Sequence, residues 1–203
     1  MNLTERDYII LREIDRWRFC LGRHIRIIAG FSGQRACDRR LRLLIEAKLI
    51  GRKYVLYGVP GFYSLTHRAK ALIGANKRQD KIRFDFIPHD IAVLDTAICF
   101  SRKYKIPLKK IITEKQLHSK DGFSIRSHQP DFIFTNGEKK YCVEVELTLK
   151  SKERLESNIK SNFLQYDTQI WVVGGSVPKI TKILKNSQYE NIKIIDGSVL
   201  PSV

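Results

Sequence analysis

Three carboxylates fall within sixteen residues of one another: Asp131, Glu144 and Glu146. From Val143 to Lys150 apolar and polar residues alternate, the period of a half-buried strand. Side chains two apart on a strand share a face. Glu144, Glu146, Thr148 and Lys150 are therefore expected on one face, and Val143, Val145, Leu147 and Leu149 on the other. Two acids that close raise each other's pKa unless a cation lies between them. Just upstream, Pro130-Asp131-Phe132-Ile133-Phe134-Thr135 reads as a short apolar strand, and Asn136-Gly137 as the turn of a hairpin. Antiparallel pairing, with strands about 4.8 Å apart, brings Asp131 to the far end of the second strand. There it completes a three-carboxylate pocket whose hard oxygens suit Mg²⁺ or Mn²⁺ rather than zinc. The chemistry this suggests is metal-dependent phosphodiester hydrolysis. The metal, held by Asp131, Glu144 and Glu146, lowers the pKa of a bound water. Glu146 joins the ligands or acts as the base, and Lys150 stabilises the charged transition state.

The chain around this cluster has 203 residues, a net charge of +16 and 43% hydrophobic residues. It is long enough for one large domain or two small ones, and so basic that its expected partner is a polyanion, most simply nucleic acid. The excess is uneven: residues 1–80 carry +10 and residues 81–203 carry +6. Cys20, Cys37, Cys99 and Cys142 are scattered without a Cys-x-x-Cys pair, as expected of reduced thiols in a cytoplasmic protein. There is no apolar signal segment and no run near the ~20 residues of a membrane span, so no membrane partner is expected.

Residues 1–78 are expected to form a winged helix-turn-helix. Thr4 and Asp7 open a first helix as a capping box, with Ile10, Leu11, Ile14 and Trp17 as its apolar stripe. A second helix fits Arg23 to Ala29, and a third Gln34 to Lys48. On the third, Cys37, Leu41, Leu44 and Ile45 fall on one side and Arg35, Arg39 and Arg42 on the other. Strands at Ile50–Tyr57 and Gly61–Leu65 make the wing, and Thr66 caps a further helix. The third helix then enters the major groove, with Gln34, Arg35, Arg39 and Arg42 toward the DNA and Arg52 and Lys53 of the wing on phosphates.

Residues 79–203 are expected to form an αβββαβ core: a helix from Pro88 to about Tyr104, a strand at Lys109–Thr113, the hairpin, a helix from Lys152 to about Gln165, and a strand at Thr168–Val173. A helix at Pro178–Lys185 and a strand at Ile192–Ile195 follow. This α/β order resembles the restriction-endonuclease-like nucleases, and Pro130-Asp131 with Glu144-x-Glu146 resembles their Pro-Asp…(Asp/Glu)-x-Lys signature. Glu146 stands where lysine is usual; Lys150, or Lys152 at the next helix start, supplies the positive charge.

Leu3-Thr4-x-Arg6-Asp7, Tyr63-x-Leu65-Thr66, His89-x-x-Ala92-Val93, Pro130-Asp131 and Val143-Glu144-Val145-Glu146-Leu147 resemble, in order, the replication-relaxation family, which includes the MOBC-class plasmid mobilisation relaxases. The resemblance implies a metal-dependent DNA endonuclease that nicks double-stranded plasmid DNA at an origin of transfer. Its site acids are Asp131, Glu144 and Glu146, and relaxosome accessory proteins and a coupling protein are its partners. The alternative is a non-catalytic relaxosome accessory or replication regulator with a degenerate nuclease domain. The five histidines include no His-x-His, against a tyrosine-type relaxase, and Tyr166 is the only tyrosine to be tested as a nucleophile.

Overall fold

The computed structural model describes residues 2–54, 60–76, 80–120 and 127–199. It is a mixed α/β chain with two separate sheets. The chain divides into two compact units, Met1–Ile91 and Ala92–Val203. The division falls inside a helix, thirteen residues beyond the 78/79 boundary expected from the linker composition.

The first unit contains α1 (Glu5–Arg16), β1 (Cys20–Leu21), α2 (Gly22–Ile28), α3 (Gln34–Glu46), β2 (Ile50–Lys53), β3 (Phe62–Leu65) and α4 (His67–Leu72). Its sheet has the order β1-β3-β2, both pairings antiparallel. The two-residue β1 is too short to show a sequence period and was not expected. The tip of the expected wing, residues 55–59, lies outside the described residues.

The apolar stripe of α1 (Ile10, Leu11, Ile14) and that of α3 (Cys37, Leu41, Leu44) are buried. Ile45 is not: it is 37% exposed, because 100° per residue carries it past the edge of the stripe. The start of α1 is fixed twice. Thr4 donates its backbone N–H (2.6 Å) and its hydroxyl (2.8 Å) to Asp7 Oδ2, and Arg40 of α3 clamps the same carboxylate through Nε (2.6 Å) and Nη2. Burial alone would raise the Asp7 pKa; the hydrogen bonds from Arg40 and Thr4 outweigh it and hold the carboxyl below its usual value. Thr66 caps α4 by accepting from the Ala69 N–H (3.2 Å). Buried Lys70 pairs with Asp80 (2.7 Å) and so ties the following segment back to α4.

Helix α5 (Ile87–Lys103) runs into the second unit. That unit holds β4 (Ile112–Thr113), α6 (Glu114–His118), β5 (Phe132–Asn136), β6 (Lys139–Glu146), α7 (Lys152–Gln165), β7 (Thr168–Val173), α8 (Pro178–Lys185) and β8 (Ile192–Asp196). The strand expected at Lys109–Thr113 shrinks to β4, since Leu108–Lys110 forms a 3₁₀ turn. The five strands lie in the order β4-β5-β6-β7-β8. β4, β5 and β6 pair antiparallel, and β6, β7 and β8 pair parallel through the α7 and α8 crossovers. Asn136 pairs with Lys139, so Gly137 and Glu138 form the loop, with Gly137 at a φ of 62°. Glycine tolerates that left-handed conformation without steric cost.

Strand β6 is central and covered on both faces, as parallel strands of such sheets usually are. On one face Phe100 of α5 meets Phe132 and Phe134 edge-on, with ring centroids 6.2 Å apart. On the other, Leu155 and Ile159 of α7, Ile180 and Leu184 of α8, and Trp171 and Val173 of β7 form one buried cluster. Glu144 is in register with Trp171, so the acids of β6 face α7.

The Asp7 clamp yields a testable consequence. Asp7→Ala leaves the Arg40 guanidinium without its carboxylate and is expected to destabilise the first unit by about 2–3 kcal/mol at pH 7, measured as faster hydrogen exchange of the α1 amides. Because the folded carboxyl titrates below its usual value, its contribution is present above that range and lost as pH falls through the folded pKa. The difference between mutant and wild type should therefore shrink in acid.

Candidate active site

The acids gather at the C-terminal end of β6, which stops at Glu146 although the alternating pattern runs on to Lys150. Glu146 is its last residue, so Thr148 and Lys150 are not part of it, contrary to the sequence expectation. Lys150 nonetheless folds back over the strand end, and its Nζ lies 2.5 Å from Glu146 Oε1. Ser151 then starts α7 by accepting from the Arg154 N–H.

Each carboxylate has its own partner. Asp131, just before β5, accepts from the Val145 N–H at Oδ2 (2.7 Å). That bond holds it against β6 between the two glutamates in sequence. Glu144 is 3% exposed, and its Oε1 meets His128 Nε2 (2.7 Å) and accepts from Asn162 Nδ2 (2.9 Å). Glu146 is 1% exposed and meets Lys150. Far from lining a solvated sheet face, both glutamates are buried beneath α7.

The electrostatics show that the charges feel one another. Burial pushes the Glu146 carboxyl up to about 7; Lys150 opposes that shift, while Glu144 and Asp131 add to it. Burial would lower the Lys150 pKa, but Glu146, Glu144 and Asp131 together outweigh it and raise the ammonium's pKa. One lysine thus answers three acids. Tyr166 follows α7, and burial, with Cys142 and Glu144 adding, raises its hydroxyl to about 12. A phenol so reluctant to ionise is a poor nucleophile. Cys142, on the same β6 face, is likewise pushed up by burial. All four cysteines are free thiols.

Helix α7 is locked over the site by buried polar bonds. Gln169 of β7 donates to the Ile159 carbonyl (3.1 Å) and to Asn191 Oδ1 (2.9 Å). Trp171 Nε1 donates to Gln169 Oε1 (3.2 Å), and Asn191 donates to the Tyr166 carbonyl (3.0 Å). These fix the turn that carries Asn162. Asn158, one turn earlier on the same helix face, is also buried.

The structure therefore brings Asp131, Glu144, Glu146 and Lys150 together. Among the described residues, no three His, Cys, Asp or Glu side chains stand in a geometry that holds a metal ion. Neither His128 nor Asn162 is among the site residues that the sequence pattern points to. The second was legible only as Asn158-x-x-x-Asn162, a polar pair at helical spacing after the glutamate strand.

In the first unit, Gln34, Arg35, Arg39 and Arg42 are exposed on α3, and Arg52 and Lys53 are exposed at the end of β2. Gln34 Nε2 donates to Asp38 Oδ1 (2.7 Å). The Arg52 guanidinium lies over Tyr54 and Tyr63, 4.7 Å and 5.4 Å from the ring centroids. Arg40 of α3 turns instead to the Asp7 carboxylate.

No protein-family model matches this chain, and no curated protein or solved structure is similar to it.

Lys150→Met removes the ammonium that opposes the Glu146 shift. The Glu146 carboxyl should then titrate above 7, read from its ¹³Cδ resonance against pH. An unchanged titration would show that Lys150 and Glu146 are not electrostatically coupled.

Proposed function

We propose that this chain is a plasmid mobilisation relaxase: it binds double-stranded DNA at an origin of transfer and nicks it by divalent-metal-dependent phosphodiester cleavage. On this reading the first unit is a winged helix-turn-helix and the second a restriction-endonuclease-like nuclease domain of the replication-relaxation type. The observation that carries the proposal is the convergence of Asp131, Glu144, Glu146 and Lys150 at the end of the central strand β6.

The donor chemistry fits Mg²⁺ or Mn²⁺. The half-buried Asp131 and the buried Glu144 and Glu146 offer hard oxygens, and the Glu146 carboxyl, raised to about 7 by burial with Glu144 and Asp131 adding, would be stabilised in its charged form by a further cation. Asp131 and Glu144 would hold the ion, with Glu146 as a third ligand or the base. When bound, the ion supplies an activated water and neutralises charge on the phosphate. Glu146 has a pKa near neutrality, where a general base is most effective. His128 and Asn162 hold the Glu144 carboxylate in one orientation. Lys150 gives up part of its contact with Glu146 to an incoming phosphate and stabilises the negative charge that develops there.

DNA recognition falls to the first unit. Arg35, Arg39 and Arg42 form an outward cationic face on α3, suited to base edges and phosphates. Arg52 and Lys53 suit phosphates, and the Arg52 guanidinium lies over the rings of Tyr54 and Tyr63.

The second reading is a non-catalytic DNA-binding relaxosome accessory or replication regulator. It is favoured by the Glu146–Lys150 ion pair, in which the two groups neutralise each other.

Incubation with a supercoiled plasmid carrying the chain's own transfer origin, with Mn²⁺ or Mg²⁺, decides between them. Nicking is expected, and Glu144→Ala should abolish it while leaving DNA affinity within about twofold. Tight binding with no nick in either metal would leave the accessory reading. Arg39→Ala should weaken binding and reduce the slope of log K against log salt by about one; an unchanged affinity would remove α3 from the interface.

A further inference from the structure

One polar atom of the second unit remains unexplained. Asn162 is 0% exposed, and its Nδ2 is fixed on Glu144 Oε1. Its Oδ1 is buried, with no hydrogen-bond partner among the described residues. A buried amide oxygen without a partner forfeits its hydration with nothing in return, and such an atom in a native site calls for a ligand, ion or water. The Nδ2 contact fixes the amide's orientation, since a carboxylate only accepts, so the oxygen is the end left over. That end belongs to the same amide that touches Glu144.

We propose that Asn162 is a donor of the divalent-cation site, offering Oδ1 to the ion while Nδ2 anchors Glu144. The inference rests on the metal-dependent reading above and extends its ligand set. An amide oxygen is a hard, neutral ligand of the kind Mg²⁺, Mn²⁺ and Ca²⁺ accept. A neutral donor also adds no fourth negative charge to a cluster in which Glu146 is already driven up to about 7. Helix α7, locked by Gln169 and Asn191, holds this donor rigidly.

Two substitutions separate the roles of the amide's two ends. Asn162→Leu removes both. Asn162→Asp loses the donor to Glu144 and keeps an oxygen. The full chain is titrated with MnCl₂ alone, without DNA, by calorimetry at pH 8, and each variant is first melted in EDTA to establish that it folds. Wild type should take up Mn²⁺. Asn162→Leu should bind about 10–100-fold more weakly, and Asn162→Asp should bind within about threefold of wild type or tighter. If Asn162→Asp binds as weakly as Asn162→Leu, the residue acts only by holding Glu144 and the inference fails. It also fails if Asn162→Leu binds like wild type. In both cases the metal-dependent reading stands. If Asn162→Leu does not fold, Asn162→Asp decides alone: Mn²⁺ should raise its melting temperature at least as much as wild type's, and no rise overturns the inference. A wild type that takes up no Mn²⁺ overturns both.

Discussion

A single ammonium stands against three carboxylates at the end of β6, and the architecture of the second unit follows from that imbalance. Glu144 and Glu146 lie two residues apart on one strand face, about 7 Å along the backbone. At an effective dielectric near 20, two such charges repel by about 2 kcal/mol. Asp131 adds a third charge. Lys150, in contact with Glu146, offsets part of this, yet burial first, with Glu144 and Asp131 adding, lifts the Glu146 carboxyl to about 7. A purely structural sheet gains nothing from such an arrangement, because apolar residues at these positions would pack at lower cost. The cluster makes sense where a further cation, or a protein group that must lose a proton near neutral pH, is part of the task.

The fold supplies what that cluster needs. β6 is the middle strand, with α5 aromatics packed on one face and α7 on the other, so its acids are shielded from bulk water without losing every polar partner. The antiparallel β5 delivers Asp131 to the Val145 N–H. The parallel crossover returns the chain over the acids as α7, and the Gln169–Asn191 network pins that helix. In the first unit a simpler ion pair does the equivalent work: Arg40 joins α3 to the capping box of α1, which leaves Arg35, Arg39 and Arg42 turned outward.

Much of this was legible in the sequence because it depends on period and punctuation. The helices at Lys152–Gln165 and Pro178–Lys185 and the strand at Thr168–Val173 run where caps, proline and β-branched runs place them. The capping box of Thr4 and Asp7 was legible for the same local reason. What escaped depends on three dimensions. The β1 strand exists only because β3 offers it an edge. The strand end at Glu146 was hidden because alternation continues to Lys150. Ile45 was assigned to the core by an angular sum that ignores how narrow the buried stripe of α3 is. His128 and Asn162 lie sixteen and eighteen residues from Glu144, and only the hairpin and the crossover bring them to it. Arg40 had no place in the sequence pattern, and only the fold brings it to Asp7, thirty-three residues away.

The central claim is that the acids of β6 form a cation site rather than a self-neutralised cluster. Crystals grown in MnCl₂ at pH 8 and measured at the manganese absorption edge test it most directly. The expected result is an anomalous peak at coordination distance from Asp131 and Glu144, with Lys150 drawn away from Glu146. A map without that peak, in which Lys150 still rests on Glu146, would contradict the account.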